Sequence, residues 1–259
     1  NGKDRVPMIT MFLNSKVSQY LKTKGYTFIN LGSYWEDIVN KYADKNYKYK
    51  LFGLSEFAQQ FLNTTLLYPL VSSMNVHNPV SQWAIHYNFT LDQMEKLAEF
   101  SKEKSPKYVF AHLYMTHDPY VFGDKGEFTD KKTSEKIGYK KMYINSIRTA
   151  NEKLKTAIEE ILVNSKVPPI IILQSDEGPK SEKYFNNYFI FWDKADHEDL
   201  VVKTGILNAY YLPGIGTDGL YPSISPVNSF RYIFSRYFGE SFDMLSDRQI
   251  AHLNFISPY

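Results

Sequence analysis

Val167-Pro168-Pro169-Ile170-Ile171-Ile172-Leu173-Gln174 is followed at once by Ser175-Asp176-Glu177-Gly178-Pro179. The two prolines stop any preceding helix, and the β-branched run after them predicts a strand entering a sheet. The abrupt change to acids and glycine predicts that the strand ends at Gln174 with two carboxylates just beyond it. Upstream, about Glu135 to Asn164 reads as one long helix, with Ile144, Ile147, Leu154, Ile158 and Ile161 on a single stripe. Downstream, Gly205 to Leu212 reads as a further strand closed by Pro213-Gly214. Ser225-Pro226 opens a last helix, with serine as N-cap and proline in the first helical position.

The earlier part of the chain alternates in the same way. Asn14 to Lys24 predicts a short helix and Tyr26 to Gly32 a short apolar strand. Ser33 with Glu36 forms a capping-box pattern. Leu54 to Val71 is helical in composition, and Thr90 to Glu103 predicts a helix capped by Thr90 with Leu91, Met94, Leu97 and Ala98 on one face. Tyr108 to Met115 reads as a buried strand carrying His112, and Thr116 to Asp130 as a polar loop carrying His117. Strands spaced by helical stretches imply an α/β fold with a mainly parallel sheet covered on both faces. In such folds ligands bind beyond the carboxyl ends of the strands. His117-Asp118 and Asp176-Glu177 are predicted at two such ends.

Composition narrows the function classes. Hydrophobic residues make up 43% of the 259 positions and aromatics 16%, which is ample for a packed core. Thirty basic and 28 acidic residues leave a net charge of +2, which gives no electrostatic case for nucleic acid. The lysine-rich stretches, Lys45 to Lys50 and Lys131 to Lys141, read as solvated surface. The absence of cysteine excludes disulfides, cysteine-bound zinc and a thiol nucleophile. No apolar run is long enough to span a bilayer, and no signal peptide is visible.

Asp176 and Glu177 have two readings. As adjacent carboxylates they suit a hard or intermediate divalent ion such as calcium, magnesium, manganese or zinc. As a strand-end turn, Asp176 caps the next segment and Glu177 faces water. His112 reads either as a satisfied core histidine or, like His117, as a donor to an anion. His77 and His86 carry no assigned role. Asn63-Thr64-Thr65 and Asn88-Phe89-Thr90 match the glycosylation acceptor pattern.

Tyr108 to Phe122, with His-Asp-Pro-Tyr at its end, resembles the strand and His-x-Pro-Tyr segment of sulfatase-like proteins of the alkaline phosphatase superfamily. Pro168 to Pro179 resembles their metal-binding strand end. Ile206 to Gly214, Leu220 to Phe230 and Arg236 to Gly239 are similar to a membrane-anchored subgroup. Residues 106–248 carry the match well as an α/β core, and residues 1–105 only loosely as a helical or inserted region. The resemblance implies a three-layer α/β/α fold with its amino-terminal part missing, and hydrolysis or transfer of a sulfate or phosphate ester through a covalent intermediate. It implies an extracytoplasmic domain whose membrane anchor lies outside this chain, with an anionic ester as substrate or, in a non-catalytic relative, a glycan, lipid headgroup or protein partner. Asp176 matches the family's metal-ligating aspartate and His117 its anion-contacting histidine. Lys180 follows the metal strand and is a further candidate for the anion. Two departures stand out. Glu177 replaces the family's histidine, and the strand carrying an acid pair and a hydroxyl nucleophile is not recognisable. The chain is therefore expected to be inactive alone, and a sheet lacking its leading strand is expected to favour a homodimer.

Overall fold

A computed structural model describes residues 6–32, 40–47, 49, 61, 64, 65, 81–184 and 195–247. The Ser33–Glu36 capping pattern, His77, Asn63 and all but a few residues of the expected Leu54 to Val71 helix lie outside the described residues. The chain divides into two compact units, Lys3–Ser165 and Lys166–Tyr259.

The first unit begins with helices α1 (Val6–Leu13) and α2 (Lys16–Thr23). Ser15 caps α2, its hydroxyl accepting from the Ser18 amide. Strand β1 (Thr27–Leu31) follows, then β2 (Lys45–Tyr47) and, after helix α3 (Gln82–Glu99), strand β3 (Lys107–Ala111). The order is β2-β1-β3 and every pairing is parallel, with Ile29 opposite both Lys45 and Val109. Helices α4 (Lys131–Ile137) and α5 (Tyr139–Asn164) complete the unit. The mixed α/β class and the parallel sheet are as expected from the alternation of elements.

β1 is the middle strand, and Phe28 to Leu31 are buried. Its polar member Asn30 is tolerated because its side-chain amide donates to Asn46 Oδ1 on β2 at 3.0 Å. The core gathers Met94 of α3, Met115, Val121 and Phe122 from the segment after β3, and Ala150 of α5. That segment is thus anchored rather than loose. Gly123 donates to Glu127 O and Thr129 to Val121 O, both at 2.8 Å, and Phe122 bridges Phe128.

Three helical expectations are corrected. α3 starts at Ser81, whose hydroxyl accepts from the Ala84 amide, and Thr90 lies in mid-helix. Thr90 Oγ1 donates back to the His86 and Tyr87 carbonyls, so it caps nothing. The expected single helix from Glu135 is two, divided at Gly138, whose φ of 90° is left-handed and ends α4. On α5 the isoleucine stripe is only half-buried, and the buried line is Met142, Asn145, Ser146, Thr149, Ala150 and Ala157. Small and polar residues let this helix approach its neighbours closely, and the isoleucines flank the contact.

The second unit holds β4 (Ile171–Gln174), α6 (His197–Thr204), β5 (Asn208–Tyr211) and α7 (Pro226–Phe238). Here the expectation of parallel pairing fails: β4 and β5 run antiparallel, Ile171 opposite Tyr211 and Gln174 opposite Asn208. The end of α6 is pinned to the turn where β4 finishes, with Gly178 N donating to Lys203 O at 2.7 Å. Ser175 N donates to Leu207 O at 2.9 Å, so β5 starts at the end where β4 stops and runs back along it. α7 has Pro226 in its first turn as expected, although the Ser225 side chain makes no cap bond. No helix among the described residues is long and apolar enough to cross a membrane.

Candidate functional site

All three strands of the first unit are parallel, so their carboxyl ends share one edge. Four side chains collect there around the chain leaving β3. The strand stops at Ala111, so His112 lies just past it and not within it as expected. His112 is half-buried, and its ring centroid is 4.9 Å from that of Tyr114. His117 is exposed on the turn closed by its own amide to Tyr114 O at 2.9 Å, with its ring 5.1 Å from Tyr114. Nδ1 of His117 donates to the Asp118 carbonyl at 2.5 Å, which leaves Nε2 without a partner among the described residues. Buried Tyr114 also meets the ring of His86 at 6.4 Å.

Gln93 holds this edge together. It is fully buried, and Nε2 donates to the Gly32 carbonyl beyond β1 at 2.9 Å and to the His112 carbonyl at 2.7 Å. Its Oε1 accepts from the Tyr114 amide at 3.4 Å. One side chain therefore fixes the exits of two neighbouring strands and the backbone that carries the histidines. At the end of β2, Tyr47 donates to Asp92 at 2.7 Å, and burial pushes the Asp92 carboxyl up against the opposing effects of that bond and of Lys96.

His86 was assigned no role in the sequence, and its setting is the most unusual of the group. It is buried, and Nε2 has no partner. Burial lowers its pKa to about 4, helped by the charge of His117 and opposed by a bond to the Tyr114 backbone. The signal that locates His86 and Gln93 is the true start of α3. With the helix begun at Ser81, positions 86, 89, 90, 93 and 94 form one face and all are buried. Placing the cap at Thr90 hides His86 in a loop.

The second unit carries the acid pair at the end of β4, as expected. Asp176 is exposed and has no partner among the described residues. Glu177 makes an ion pair with the Lys203 ammonium of α6, which also donates to Gly178 O at 3.4 Å. Gly178 is pressed onto that helix: a Cβ there would come within 2.0 Å of the Val202 carbonyl oxygen. Lys180 is half-buried in the loop that follows. A buried carboxylate stands nearby in sequence. Asp199 accepts from Ser181 at 2.5 Å and from the Asp196 amide at 3.0 Å and pairs with Lys183. Burial pushes its pKa up, but Lys183, Ser181 and the Asp196 amide outweigh this and hold it near 2. Asp199 and Asp196 form a capping box for α6, so this cluster is structural.

Donor chemistry decides how the acid pair relates to a metal. One free carboxylate and one carboxylate held by an ammonium make an incomplete ligand set for any divalent ion. Among the described residues there is no cluster of three or more histidine or acidic side chains fit to hold one. The acceptor pattern at Asn88 falls in mid-helix with Thr90 buried, so only Asn88 itself is accessible in the folded chain. No family model, curated protein or solved structure matches the chain.

Proposed function

We propose that this chain is the carboxyl-terminal part of a sulfatase-like α/β/α domain of alkaline-phosphatase type that recognises the anionic group of a sulfate or phosphate ester. Its parent protein is membrane-anchored and presents the domain outside the cytoplasm. The observation that carries the reading is the position of His112 and His117, directly beyond the carboxyl end of a parallel strand, on backbone clamped by buried Gln93. The order of the sequence motifs supports the same reading.

The chemistry is recognition. Nδ1 of His117 is committed to a carbonyl, so Nε2 is the atom that meets a ligand, and in the protonated ring it donates to an anionic oxygen. The exposed Asp176 is the chain's contribution to a divalent-metal site, with Glu177 released only if Lys203 gives it up. Since that ligand set is incomplete, no step runs through a metal here. Turnover would require a hydroxyl nucleophile in addition to these residues.

Histidine ring resonances of the full chain, titrated with sulfate, phosphate and their p-nitrophenyl esters, test the reading. The His117 and His112 signals should shift and saturate together, and His117→Ala should weaken binding at least about tenfold, the loss of roughly one charge-assisted bond. Gln93→Met should keep the volume, cost about 2 kcal/mol of stability by stranding buried carbonyls, and weaken ester binding as well. Ring signals that stay still, or unchanged affinity in His117→Ala, would overturn the assignment.

A further inference from the structure

Helix α4 has no place in the core. None of its seven residues is buried, although it is firmly formed. Asp130 caps it, Oδ1 accepting from the Thr133 amide at 2.9 Å and Oδ2 from the Thr133 hydroxyl at 3.2 Å. Left-handed Gly138 closes it and leads directly into α5. A capped helix that buries nothing stabilises no packing of its own, so its surface is what its sequence specifies.

That surface is cationic. Lys131, Lys132, Lys136, Lys140 and Lys141 are all exposed, against the single acid Glu135. The stretch holds four net positive charges in a chain whose total is +2, so the remaining residues together are net negative. Glu135 does little to neutralise it. Its pairing with Lys131 is 3.9 Å long, with both side chains about two-thirds exposed, and such pairs contribute little. An apolar residue stands among the lysines: Ile137 is 40% exposed. Tyr139 sits next to it across Gly138, with its hydroxyl bonded to that of Tyr120 at 2.8 Å and its ring 4.9 Å from that of Tyr120. Tyr120 belongs to the anchored segment after β3, so the cationic junction is fastened to a fixed part of the unit.

We propose that α4 and the first turn of α5 form a docking face for an anionic lipid bilayer. The lysines reach the headgroups while their methylene stems and Ile137 lie at the boundary with the acyl chains. Nucleic acid is the poorer match, since the whole chain carries a net charge of only +2 and the exposed isoleucine among these lysines suits acyl chains rather than phosphates. The inference rests on the α4 lysines rather than on the histidines and stands without the ester reading.

The test uses the full chain and vesicles of phosphatidylcholine alone or with one-third phosphatidylglycerol. Flotation should recover the protein with the anionic vesicles only, and added salt should release it. Lys131→Gln/Lys132→Gln/Lys136→Gln should lower vesicle affinity on the order of a hundredfold, at roughly fivefold per lysine. Circular dichroism should be unchanged, because α4 supports no core. A charge-matched control, Lys153→Gln/Lys155→Gln/Lys166→Gln, should retain binding. Three results would overturn the proposal: no binding to anionic vesicles at low salt; equal losses in both triple variants, which would mean net charge alone; or binding to soluble polyphosphate that depends on the α4 lysines with none to vesicles.

Discussion

The two units stabilise their strands by different means. In the first, β1 is covered by a parallel partner on each side and by packed helices, and four of its five residues are buried. In the second, all four residues of β4 are only half-buried, although Ile171-Ile172-Leu173 is the more apolar sequence. What β4 lacks in burial the unit supplies with polar side chains. Gln174 donates to Asn208 at 2.7 Å and to Ser229 at 3.0 Å, and Tyr210 shares a 2.6 Å bond with Ser229. Asn228, fully buried, donates to Leu245 O at 2.8 Å and Asp247 at 2.9 Å and accepts from the Leu245 amide at 2.9 Å. Burial of a strand follows from how many partners flank it rather than from how apolar it is.

The largest expected effect breaks that polar scaffold. Asn228→Ala empties a fully buried site and removes three hydrogen bonds at once, two to the Leu245 backbone and one to Asp247, and should cost about 3 kcal/mol. Amide exchange read by mass spectrometry should rise across α7 and residues 240–247, while β1 and β3 keep their protection. Loss of protection in β1 to the same degree would mean that the two regions do not differ in this way.

The next effect belongs to the first unit and is read as a function of pH. Folded His86 stays neutral down to about pH 4, whereas in the unfolded chain it protonates near its ordinary 6.5. Between those values the unfolded state binds the extra proton, so stability falls as pH drops from about 6.5 to 4, by about 3 kcal/mol in all. Below pH 4 the contribution is constant. His86→Asn keeps a donor for the Tyr114 carbonyl and removes the titration, so its urea midpoint should fall less between pH 7 and pH 4. An equal fall in both proteins would show that His86 is not the group responsible.

The two regions were also unequally legible in the sequence. Short-range signals read well in both: the short helix expected over Asn14 to Lys24, the Pro168-Pro169 entry to β4, Pro226 in α7 and the strand at Thr27–Leu31. The direction of pairing read well only in the first unit; in the second, the α6 end that returns the chain for antiparallel β5 is fixed by the contact of Gly178 with the helix backbone, a fit that no pattern of hydrophobicity encodes. His117, Asp176 and Glu177 were singled out because polar groups after apolar runs mark strand ends, and His112 as a histidine inside the expected Tyr108 to Met115 strand. Gln93 and His86 were missed because they are polar residues on the buried face of α3, where periodicity expects apolar ones. The ion pair between Glu177 and Lys203 was invisible for another reason: 26 positions separate its members, and a lone lysine on a surface helix carries no sequence signal.

That pair supplies the smallest stability effect and the sharpest question about the second unit. Glu177 is mostly exposed while the Lys203 side chain is nearly covered, so solvent screens the attraction and Lys203→Gln should change stability by about 1 kcal/mol or less. Its effect on ion binding should be larger than its effect on folding, because it returns a second carboxylate to the side of Asp176. Calorimetric titration with manganese should find weak binding in the unaltered chain and tighter binding in Lys203→Gln. Glu177→His offers a neutral donor that the ammonium does not attract, and should bind manganese more tightly than the unaltered chain too. Asp176→Ala placed in either background should abolish the gain. If Lys203→Gln and Glu177→His leave manganese affinity where it was, the acids after β4 are a strand-end turn held to α6, and the metal has to be removed from the account of this edge.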